Sequence, residues 1–366
     1  MSERETRSSD FRSPKMAEQD YEDDFEAYDD DEFEEDEEEP PVAAKPPAEV
    51  AKPPPPARSR SALQEVQVPT GTRSQLSQGP WSLITLQELE LGAELARGAF
   101  SRVHAGTWRG RSVAVKLLTD TSSEQLKACE EELQVHAALG GHTGIVRLHG
   151  ANLRPPDCCI VMERCRFSLF ERLHAQSQDL DRREMVNMAA QVADAMAFLH
   201  AQSPPIVHRD LKSHNVLLDD AGKCKLCDFG LVGTREVTAG TPNYMAPELF
   251  QAKPYSASVD VFAFAVLLNE LFTREVPWDG YQPMDIKAKV VAGERPRTPK
   301  TMPSACEGLV RKAWHKLPSL RPSFPQLLPT LRAIEESLPL GAALYGTKKY
   351  SDSLDDFAML GLNRTV

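Results

Sequence analysis

The eight residues from His208 to Asn215 read H-R-D-L-K-S-H-N and place several reactive side chains on one short segment. The carboxylate of Asp210 can accept or orient the proton of an attacking hydroxyl, and the amide of Asn215 can bind a divalent cation. Asp228, which opens a downstream D-F-G, can hold a second cation against nucleotide phosphates. Because phosphoryl transfer needs mainly alignment and charge neutralisation, this set predicts transfer from ATP with Mg²⁺, or with Mn²⁺ in its place.

These motifs and the segment T-W-R-G-R-S-V-A-V-K, which ends at Lys116, resemble those of eukaryotic protein kinases. The chain is most similar to the tyrosine-kinase-like serine/threonine kinases, the group of mixed-lineage and Raf-type enzymes. The resemblance covers residues 86–336 and implies an α+β, bilobal protein kinase fold. Its N-terminal lobe would have a five-stranded antiparallel sheet with one main helix, and its C-terminal lobe would be mostly helical. Lys212, two residues after Asp210, implies Ser/Thr specificity. The alternative is a pseudokinase scaffold that acts through its tails.

The resemblance assigns Lys116 to the lysine that grips the α- and β-phosphates of ATP, at the end of the alternating strand V-A-V-K. Its carboxylate partner is expected on a helix over residues 123–139, which contains three consecutive glutamates. The spacing to later apolar residues favours Glu132, with Glu131 as the second choice. At least one of the three glutamates is expected to face solvent.

The nucleotide-binding positions are also implied by the resemblance. Met162 stands at the gatekeeper position, and the backbone of Glu163 and Cys165 is expected to bond the adenine edge. Ala114 and Leu217 are expected to enclose the adenine. The other predicted ATP-binding residues form the loop that covers the phosphates, and they are Leu95, Ala96, Arg97, Gly98, Ala99, Phe100, Ser101, Arg102 and Val103.

This phosphate-covering loop departs from the family pattern G-x-G-x-x-G. Gly98 is the middle glycine, while Ala96 and Ser101 replace the first and the third. Glycine is favoured there because a backbone without Cβ can approach the phosphates and adopt unusual φ/ψ values. Since alanine and serine are the smallest replacements, we expect weaker ATP binding rather than none.

Three residues are assigned structural roles by the resemblance. Glu248 closes the activation segment in A-P-E, and Arg321 is expected to be its buried ion-pair partner. Asp260 opens a long apolar run and is expected to brace the backbone of the catalytic segment from a central helix. Charges buried in this way are structural, so their loss would act through stability.

The activation segment carries candidate phosphorylation sites. Thr238 is preferred over Thr234 because it lies nearer the substrate-docking end, and a phosphate on either could order the segment by pairing with Arg209. A segment this short could equally be ordered without phosphate. Thr241 resembles the family threonine that touches the catalytic aspartate and lysine.

An apolar column is expected to connect the two lobes through Leu148, Phe229 and His208, with His136 as its fourth member. A histidine is unusual in this column, and three interpretations are open. The register could shift by one residue and leave His136 partly exposed, or His136 could be a neutral, hydrogen-bonded core residue. The third interpretation is a pH switch.

Charge is distributed unevenly along the 366 residues, whose net charge is −12. Residues 1–39 hold 19 acidic and 4 basic side chains, and proline-rich sequence follows. Such composition cannot form a core, so residues 1–80 are predicted to be disordered. Residues 337–366 are predicted to be a flexible tail with an acidic-hydrophobic segment. That segment could recruit a partner, but packing against the kinase domain or fraying is the simpler interpretation.

Composition also bears on location and partners. No apolar run is long enough to span a bilayer, and an odd number of cysteines suits a reducing compartment, so we expect a cytoplasmic protein, with the nucleus as a second location. The expected partner is a protein substrate with a Ser or Thr acceptor, and no nucleic acid. Cys224 and Cys227 could form half of a zinc site. Period two places them on opposite faces of a strand, which favours free thiols.

Replacing Ala96 and Ser101 together by glycine should lower the KM for ATP, because the backbone could then approach the phosphates more closely. Steady-state kinetics with ATP as the varied substrate measures the effect. Ala221→Gly, in a turn outside the loop, is the control. An unchanged or higher KM in the double variant would contradict the prediction.

Overall fold

The computed structural model of the chain describes residues 80–98, 100–176, 180–232 and 239–339. Ala99, Thr234, Thr238 and nearly all of the two predicted tails lie outside these ranges. Within them the strands are β1 (Ser82–Leu83), β2 (Leu89–Arg97), β3 (Ser101–Trp108), β4 (Arg111–Leu118), β5 (Leu148–Asn152), β6 (Cys159–Glu163), β7 (Phe167–Ser168), β8 (Val216–Leu218) and β9 (Cys224–Leu226). The helices are α1 (Ser123–Ala138), α2 (Leu169–His174), α3 (Arg182–His200), α4 (Pro247–Phe250), α5 (Ser258–Thr273), α6 (Pro283–Ala292), α7 (Ser304–Ala313) and α8 (Phe324–Ser337).

The N-terminal lobe contains a sheet with the strand order β1-β5-β6-β4-β3-β2. Strands β2 to β6 pair antiparallel, as the sequence predicted. A short sixth strand, β1, pairs in parallel with β5 at the sheet edge, and this strand was not predicted. Two residues are too few to show a period-two pattern. The pairing requires Gly150, because a Cβ at this position would collide with the backbone oxygen of Ser82.

The hairpin of β3 and β4 sets which side chains share a face of the sheet. Its turn, Arg109–Gly110, has positive φ values of 51° and 75°, as two-residue hairpin turns require. Val113 and Val115 of β4 are fully buried on one face. Because successive side chains of a strand alternate, Ala114 and Lys116 lie together on the other face.

Helix α1 agrees with the helix predicted over residues 123–139. Its N-cap is Ser122, whose side chain accepts a hydrogen bond from the N–H of Gln125. Cys129, Leu133 and His136 recur at helical spacing and are buried, so they form the face that packs on the rest of the domain.

Helix α5 forms the centre of the mostly helical C-terminal lobe. All its residues from Val259 to Phe272 are buried, including the acidic Asp260 and Glu270. A helix that is apolar all round is typical of a core position. Helices α3 and α8 pack against each other, and α7 packs on α5. The α+β bilobal fold is therefore confirmed. None of the described helices is both long and apolar enough to cross a bilayer.

Glu248 and Arg321 form a buried ion pair between α4 and the segment before α8. Both carboxylate oxygens take part, with Nη1 to Oε1 at 2.6 Å and Nη2 to Oε2 at 2.8 Å. Arg321 also donates to the backbone oxygen of His315, and its guanidinium stacks on the ring of Phe262. Each charge neutralises the other, so removal of one leaves the other uncompensated in the core.

Arg321→Ala should lower the free energy of unfolding by about 3–5 kcal/mol, since it leaves Glu248 buried without its counter-charge. Denaturant-induced unfolding measures the loss. Arg311→Ala is the matched control, because it removes an exposed arginine paired with Glu307 and should cost less than about 1 kcal/mol. Equal losses of unfolding free energy in the two variants would contradict the prediction that the buried pair contributes more to stability than the exposed one.

Candidate active site

The catalytic segment after α3 is held by a buried carboxylate from α5. Asp260 accepts the N–H of His208 at 2.9 Å and the N–H of Arg209 at 2.8 Å. His200, at the end of α3, donates to the same carboxylate at 2.8 Å. Arg209 has a positive φ of 67°, which non-glycine residues seldom adopt, so these bonds offset local strain. The hydrogen bonds to Asp260 thereby fix the position of the next residue, Asp210.

The carboxylate of Asp210 is surrounded by donors. Lys212 Nζ lies 2.8 Å from Oδ2. The N–H and the hydroxyl of Thr241 donate to Oδ1 at 3.0 and 2.7 Å. Lys212 also donates to the hydroxyl of Thr241 at 2.8 Å, so the three side chains form one connected group. A hydroxyl that enters this group would meet an oriented carboxylate beside an ammonium.

Asn215 has a buried Oδ1 for which no hydrogen-bond partner exists among the described residues. Its Nδ2 donates to the backbone oxygen and to Oδ2 of Asp210, at 2.9 and 3.1 Å, and this fixes the orientation of the amide. A buried oxygen without a partner costs about 1–3 kcal/mol. Because amide and carboxylate oxygens are the ligands that Mg²⁺ prefers, Asn215 and the nearby Asp228 fit a divalent cation.

Lys116, Glu132 and Asp228 form a second charged group. Lys116 Nζ lies 3.6 Å from Oε1 of Glu132, whereas Glu131 pairs with Lys127 on the exposed side of α1. Burial lowers the pKa of Lys116, but the carboxylates of Glu132 and Asp228 outweigh it and raise that pKa above its ordinary value. Burial raises the pKa of Glu132, and Lys116 opposes this shift. We take the pair as charged, because one ammonium faces two carboxylates, and the resulting net negative charge suits a bound cation.

The described part of the phosphate-covering loop pairs as β2 and β3 without two of the family glycines. Ala96 is buried and pairs with Val103 across β2 and β3, and Ser101 begins β3. The turn is closed by a hydrogen bond from the N–H of Gly98 to the oxygen of Ser101 at 2.8 Å. Neither Ala96 nor Ser101 has a positive φ, so the backbone does not require glycine at these positions. Any cost to ATP binding must therefore come from the added side-chain atoms.

Two apolar clusters border the predicted adenine pocket. Val103 and Ala114 belong to one of them, on the face of β3 and β4 that also carries Lys116. Met162 and Leu217 belong to the other, together with partly buried residues around it. The predicted adenine-binding side chains therefore come from both lobes.

The linker after β6 offers backbone groups to an adenine edge. The N–H of Glu163 is bonded to the oxygen of Arg147 at 2.8 Å, so the carbonyl is the group of Glu163 that can serve the base. Within the described ranges the N–H of Cys165 has no hydrogen-bond partner. An acceptor and a donor at this spacing suit the amino group and ring nitrogen of adenine. The side chain of Glu163 instead forms an ion pair with Lys225 at 3.0 Å.

The predicted phosphorylation sites, Thr234 and Thr238, are not among the described residues. Arg209, their expected partner, donates from Nη1 to the oxygen of Leu231 at 3.2 Å. Its guanidinium also lies 5.1 Å from the ring of Tyr255. These contacts are with uncharged groups, and pairing of Arg209 with a phosphate stays a prediction.

Comparison with known proteins agrees with this geometry. A family model described as protein tyrosine and serine/threonine kinase matches residues 89–331. The chain belongs to this kinase family. Its relatives include the probable serine/threonine-protein kinase SIS8 of Arabidopsis thaliana, 36% identical over 264 residues, which cover 69% of this chain and 26% of the relative.

Two further relatives of the kinase domain are similar to the same extent. The probable serine/threonine-protein kinase drkD of Dictyostelium discoideum is 34% identical over 259 residues, or 69% of this chain and 20% of the relative. The serine/threonine-protein kinase CTR1 of Arabidopsis thaliana is 36% identical over 271 residues, or 70% of this chain and 32% of the relative. The chain thus spans only 20% to 32% of the length of these curated relatives. The resemblance to tyrosine-kinase-like Ser/Thr kinases is confirmed.

The apolar column of the kinase domain includes a buried histidine. His136 is 5% exposed and donates from Nε2 to the backbone oxygen of Val146. Its ring lies 5.2 Å from that of Phe229, and the ring of His208 lies 5.5 Å from the same phenyl group. The interpretation that a register shift exposes His136 is therefore wrong. Burial lowers the pKa of His136, although the bond to Val146 opposes the shift, and this favours a neutral, hydrogen-bonded core residue over a pH switch.

A buried network beside the catalytic segment was missed in the sequence. Glu270 of α5 accepts hydrogen bonds from the hydroxyl of Ser213 at 2.8 Å and from that of Tyr244 at 2.7 Å, and His174 Nε2 lies 2.9 Å away. Burial raises the pKa of Tyr244 well above its ordinary value, so its hydroxyl stays a donor. The network ties the catalytic segment to the segment that carries Thr241. Its only sequence signal was an acid within a long apolar run, which can be buried only with partners.

None of the seven cysteines forms a disulfide bond. Burial raises the pKa of Cys224 to about 12, and it raises the pKa of Cys227 well above the ordinary thiol value. In the part of the chain that the structure describes, no group of three or more His, Cys, Asp or Glu side chains is arranged to hold a metal ion.

His136→Leu should make the stability of the kinase domain less sensitive to acid. The buried ring is neutral and gains a proton on unfolding, so the protein loses stability as the pH falls below the ordinary histidine pKa of about 6.5. This one group can contribute at most about 1.4 kcal/mol per pH unit, and the variant lacks the contribution. Denaturant unfolding of both proteins, at neutral and mildly acidic pH, measures the difference.

The pH profile of kinase activity, measured in parallel, separates a structural histidine from a switch. A neutral core histidine leaves the profile of His136→Leu unaltered, whereas a switch would change it. Equal acid sensitivity of stability in wild type and variant would contradict the prediction.

Proposed function

We propose that this chain is an ATP-dependent protein kinase that transfers the γ-phosphoryl group to serine or threonine hydroxyls of a protein. One observation carries the proposal: Lys212 and Thr241 converge on the Asp210 carboxylate, next to the buried amide oxygen of Asn215, which has no partner among the described residues. The first group can orient a hydroxyl, and the second can hold a cation. Phosphoryl transfer needs both.

Asp210 is the proposed catalytic base. The substrate hydroxyl would donate to its carboxylate, which Thr241 and Asn215 already hold in place. Lys212 Nζ, 2.8 Å from Oδ2, would lie beside the transferred phosphoryl group and neutralise part of its charge. Orientation of the hydroxyl together with charge neutralisation accounts for acceleration without a covalent intermediate.

Asn215 and Asp228 are the proposed Mg²⁺ ligands, through the buried amide oxygen of the first and the carboxylate of the second. The ion, when bound, would supply charge neutralisation on the β- and γ-phosphates. Lys116 would bind the α- and β-phosphates, and Glu132 holds it from α1 at 3.6 Å. The backbone of the linker around Cys165 would orient the adenine.

Serine and threonine are favoured as acceptors by Lys212 and by the names of the relatives, which are serine/threonine-protein kinases. The alternative of a pseudokinase scaffold has no support in the site, since Lys116, Glu132, Asp210 and their cation-binding neighbours are in place together.

The proposal extends to the organisation of the chain. The kinase domain would span residues 86–336, between an acidic, proline-rich segment over residues 1–80 and a C-terminal segment over residues 337–366. Seven free cysteines support a reducing compartment, such as the cytoplasm.

Asp210→Asn should lower kcat for γ-phosphoryl transfer from ATP to a generic acceptor protein by roughly 10²–10⁴-fold, because general base catalysis contributes about this much. Radiolabelled transfer with Mg²⁺, followed by identification of the phosphorylated residue type, measures rate and specificity. Asp220→Asn, in an exposed turn, is the matched control and should retain the wild-type rate. Transfer at equal rates by wild type and Asp210→Asn, or phosphate found on tyrosine alone, would refute the proposal.

A further inference from the structure

A cavity of about 740 Å³ opens in the C-terminal lobe, away from the nucleotide-binding residues. It lies between the end of α2, the C-terminal end of α5, and the segments on either side of α6. Pockets that bind ligands typically measure about 300–1,000 Å³ and combine an apolar wall with a few polar groups. Trp278 and Tyr281 line this cavity on its apolar part, and Asn269 and Arg297 line it on its polar part.

A residue that lines the cavity is hydrogen-bonded to the segment that would receive the acceptor hydroxyl. Asn243, two residues after Thr241, donates from its side chain to the backbone oxygen of Pro277. Pro277 lines the cavity, and Thr241 contacts Asp210. The cavity therefore lies beside the segment that contacts Asp210.

The apolar part of the cavity continues onto an exposed surface. The rings of Trp278 and Tyr281 meet edge to face, with centroids 6.0 Å apart, and Tyr281 is 47% exposed. Met284, in the first turn of α6, is 72% exposed. Large apolar side chains grouped at a surface mark sites of interaction.

The polar part of the cavity contains a buried amide oxygen and an exposed guanidinium that could bind a ligand. Asn269 is buried, and its Nδ2 donates to the backbone oxygen of Arg297 at 3.1 Å. Its Oδ1 is buried and lacks a hydrogen-bond partner in the described part of the chain. A donor from a bound molecule would satisfy this oxygen. The side chain of Arg297 is exposed and forms no ion pair within the described ranges, whereas Glu294 is paired with Lys289 at 2.8 Å.

Two residues of the cavity wall have strained backbones. Arg274 and Trp278 are not glycines, yet they have positive φ values of 52° and 58°. Arg274 is the C-cap of α5, where a left-handed residue is common. The positive φ of Trp278 has no such origin and is costly for a bulky residue, and such conformations cluster at functional sites. This observation is independent of the apolar surface and of the buried amide.

We propose that this cavity binds a docking segment of the protein substrate. The segment places a large apolar side chain against Trp278 and Tyr281, directs a carboxylate to Arg297, and donates an N–H to Oδ1 of Asn269. A substrate is the occupant that the geometry favours, because the bond from Asn243 to Pro277 joins the cavity to the acceptor segment. This inference rests on the proposed kinase function and adds a second contact by which the kinase selects its substrate.

The first arm of the test uses random peptides of about 12 residues displayed on phage, selected on the full-length chain and measured afterwards as free peptides. We expect selected peptides to contain an aromatic or large aliphatic residue close to Asp or Glu. The double variant Tyr281→Ser with Arg297→Glu should weaken their binding by about tenfold or more, since each lost 1.4 kcal/mol is tenfold in Kd. The matched control, Leu317→Ser with Lys300→Glu, alters an exposed leucine and an exposed lysine outside the cavity and should change Kd less than about twofold. Thermal unfolding verifies that both double variants are folded.

The second arm joins a selected peptide, through a flexible Gly/Ser linker, to a short acceptor peptide with one serine. With wild type and with the control, the joined peptide should show a KM about tenfold lower than the acceptor alone at an unchanged kcat. With Tyr281→Ser and Arg297→Glu this advantage should disappear, while the unjoined acceptor is phosphorylated as by wild type.

Three results would overturn the inference. One is the absence of any selected peptide whose binding the cavity variant weakens more than the control does. Another is displacement of the selected peptides by a synthetic peptide of residues 340–366 with equal or higher affinity, which would make the tail of this chain the occupant. The third is phosphorylation of the acceptor with no gain from the joined peptide. Binding at the cavity without phosphorylation of any acceptor would instead refute the proposed kinase function and, with it, a substrate as the occupant.

Discussion

Asp260 lies in the first turn of α5, the helix around which the C-terminal lobe packs, and its fully buried carboxylate is bonded to two successive backbone amides of the catalytic segment. A buried carboxylate is stable only when its oxygens are hydrogen-bonded, and a backbone with positive φ at Arg209 persists only when its surroundings hold it. Each requirement satisfies the other. The donors around Asp210 can converge because these bonds hold the backbone of the catalytic segment in one conformation. The candidate site therefore depends on Asp260, a residue that would not contact the substrate.

The charged residues of the site form two groups that differ in net charge. At the acceptor side, the ammonium of Lys212 faces the carboxylate of Asp210 at 2.8 Å, which leaves little net charge where a neutral hydroxyl must enter. At the nucleotide side, Lys116 is shared between Glu132 and Asp228, so the group is net negative before any cation binds. An anionic nucleotide would be repelled there without a divalent ion. The arrangement therefore explains why ATP and metal would bind together.

Two departures from the family pattern are accommodated by different physical means. In the phosphate-covering loop, Ala96 and Ser101 adopt ordinary strand conformations, so the loss of glycine costs no backbone strain. In the apolar column, His136 introduces a polar ring, and a hydrogen bond to the backbone oxygen of Val146 offsets its burial. Both replacements keep the fold, and neither removes a group that contacts the reacting atoms.

The sequence by itself determined the chemistry and most of the fold, because short motifs specify reactive residue types and because the alternating strands and the helix after β4 have clear periodicity. It did not determine β1, since a two-residue edge strand forms only where Gly150 lets another strand approach. Nor did it determine the partners of Glu270 or the burial of His136. Both features depend on contacts between residues far apart in the chain, and such contacts cannot be predicted from local sequence patterns. For Lys116 the spacing favoured Glu132 over Glu131, and tertiary packing decided between them, because it turns Glu132 toward Lys116 and leaves Glu131 on the exposed side of α1.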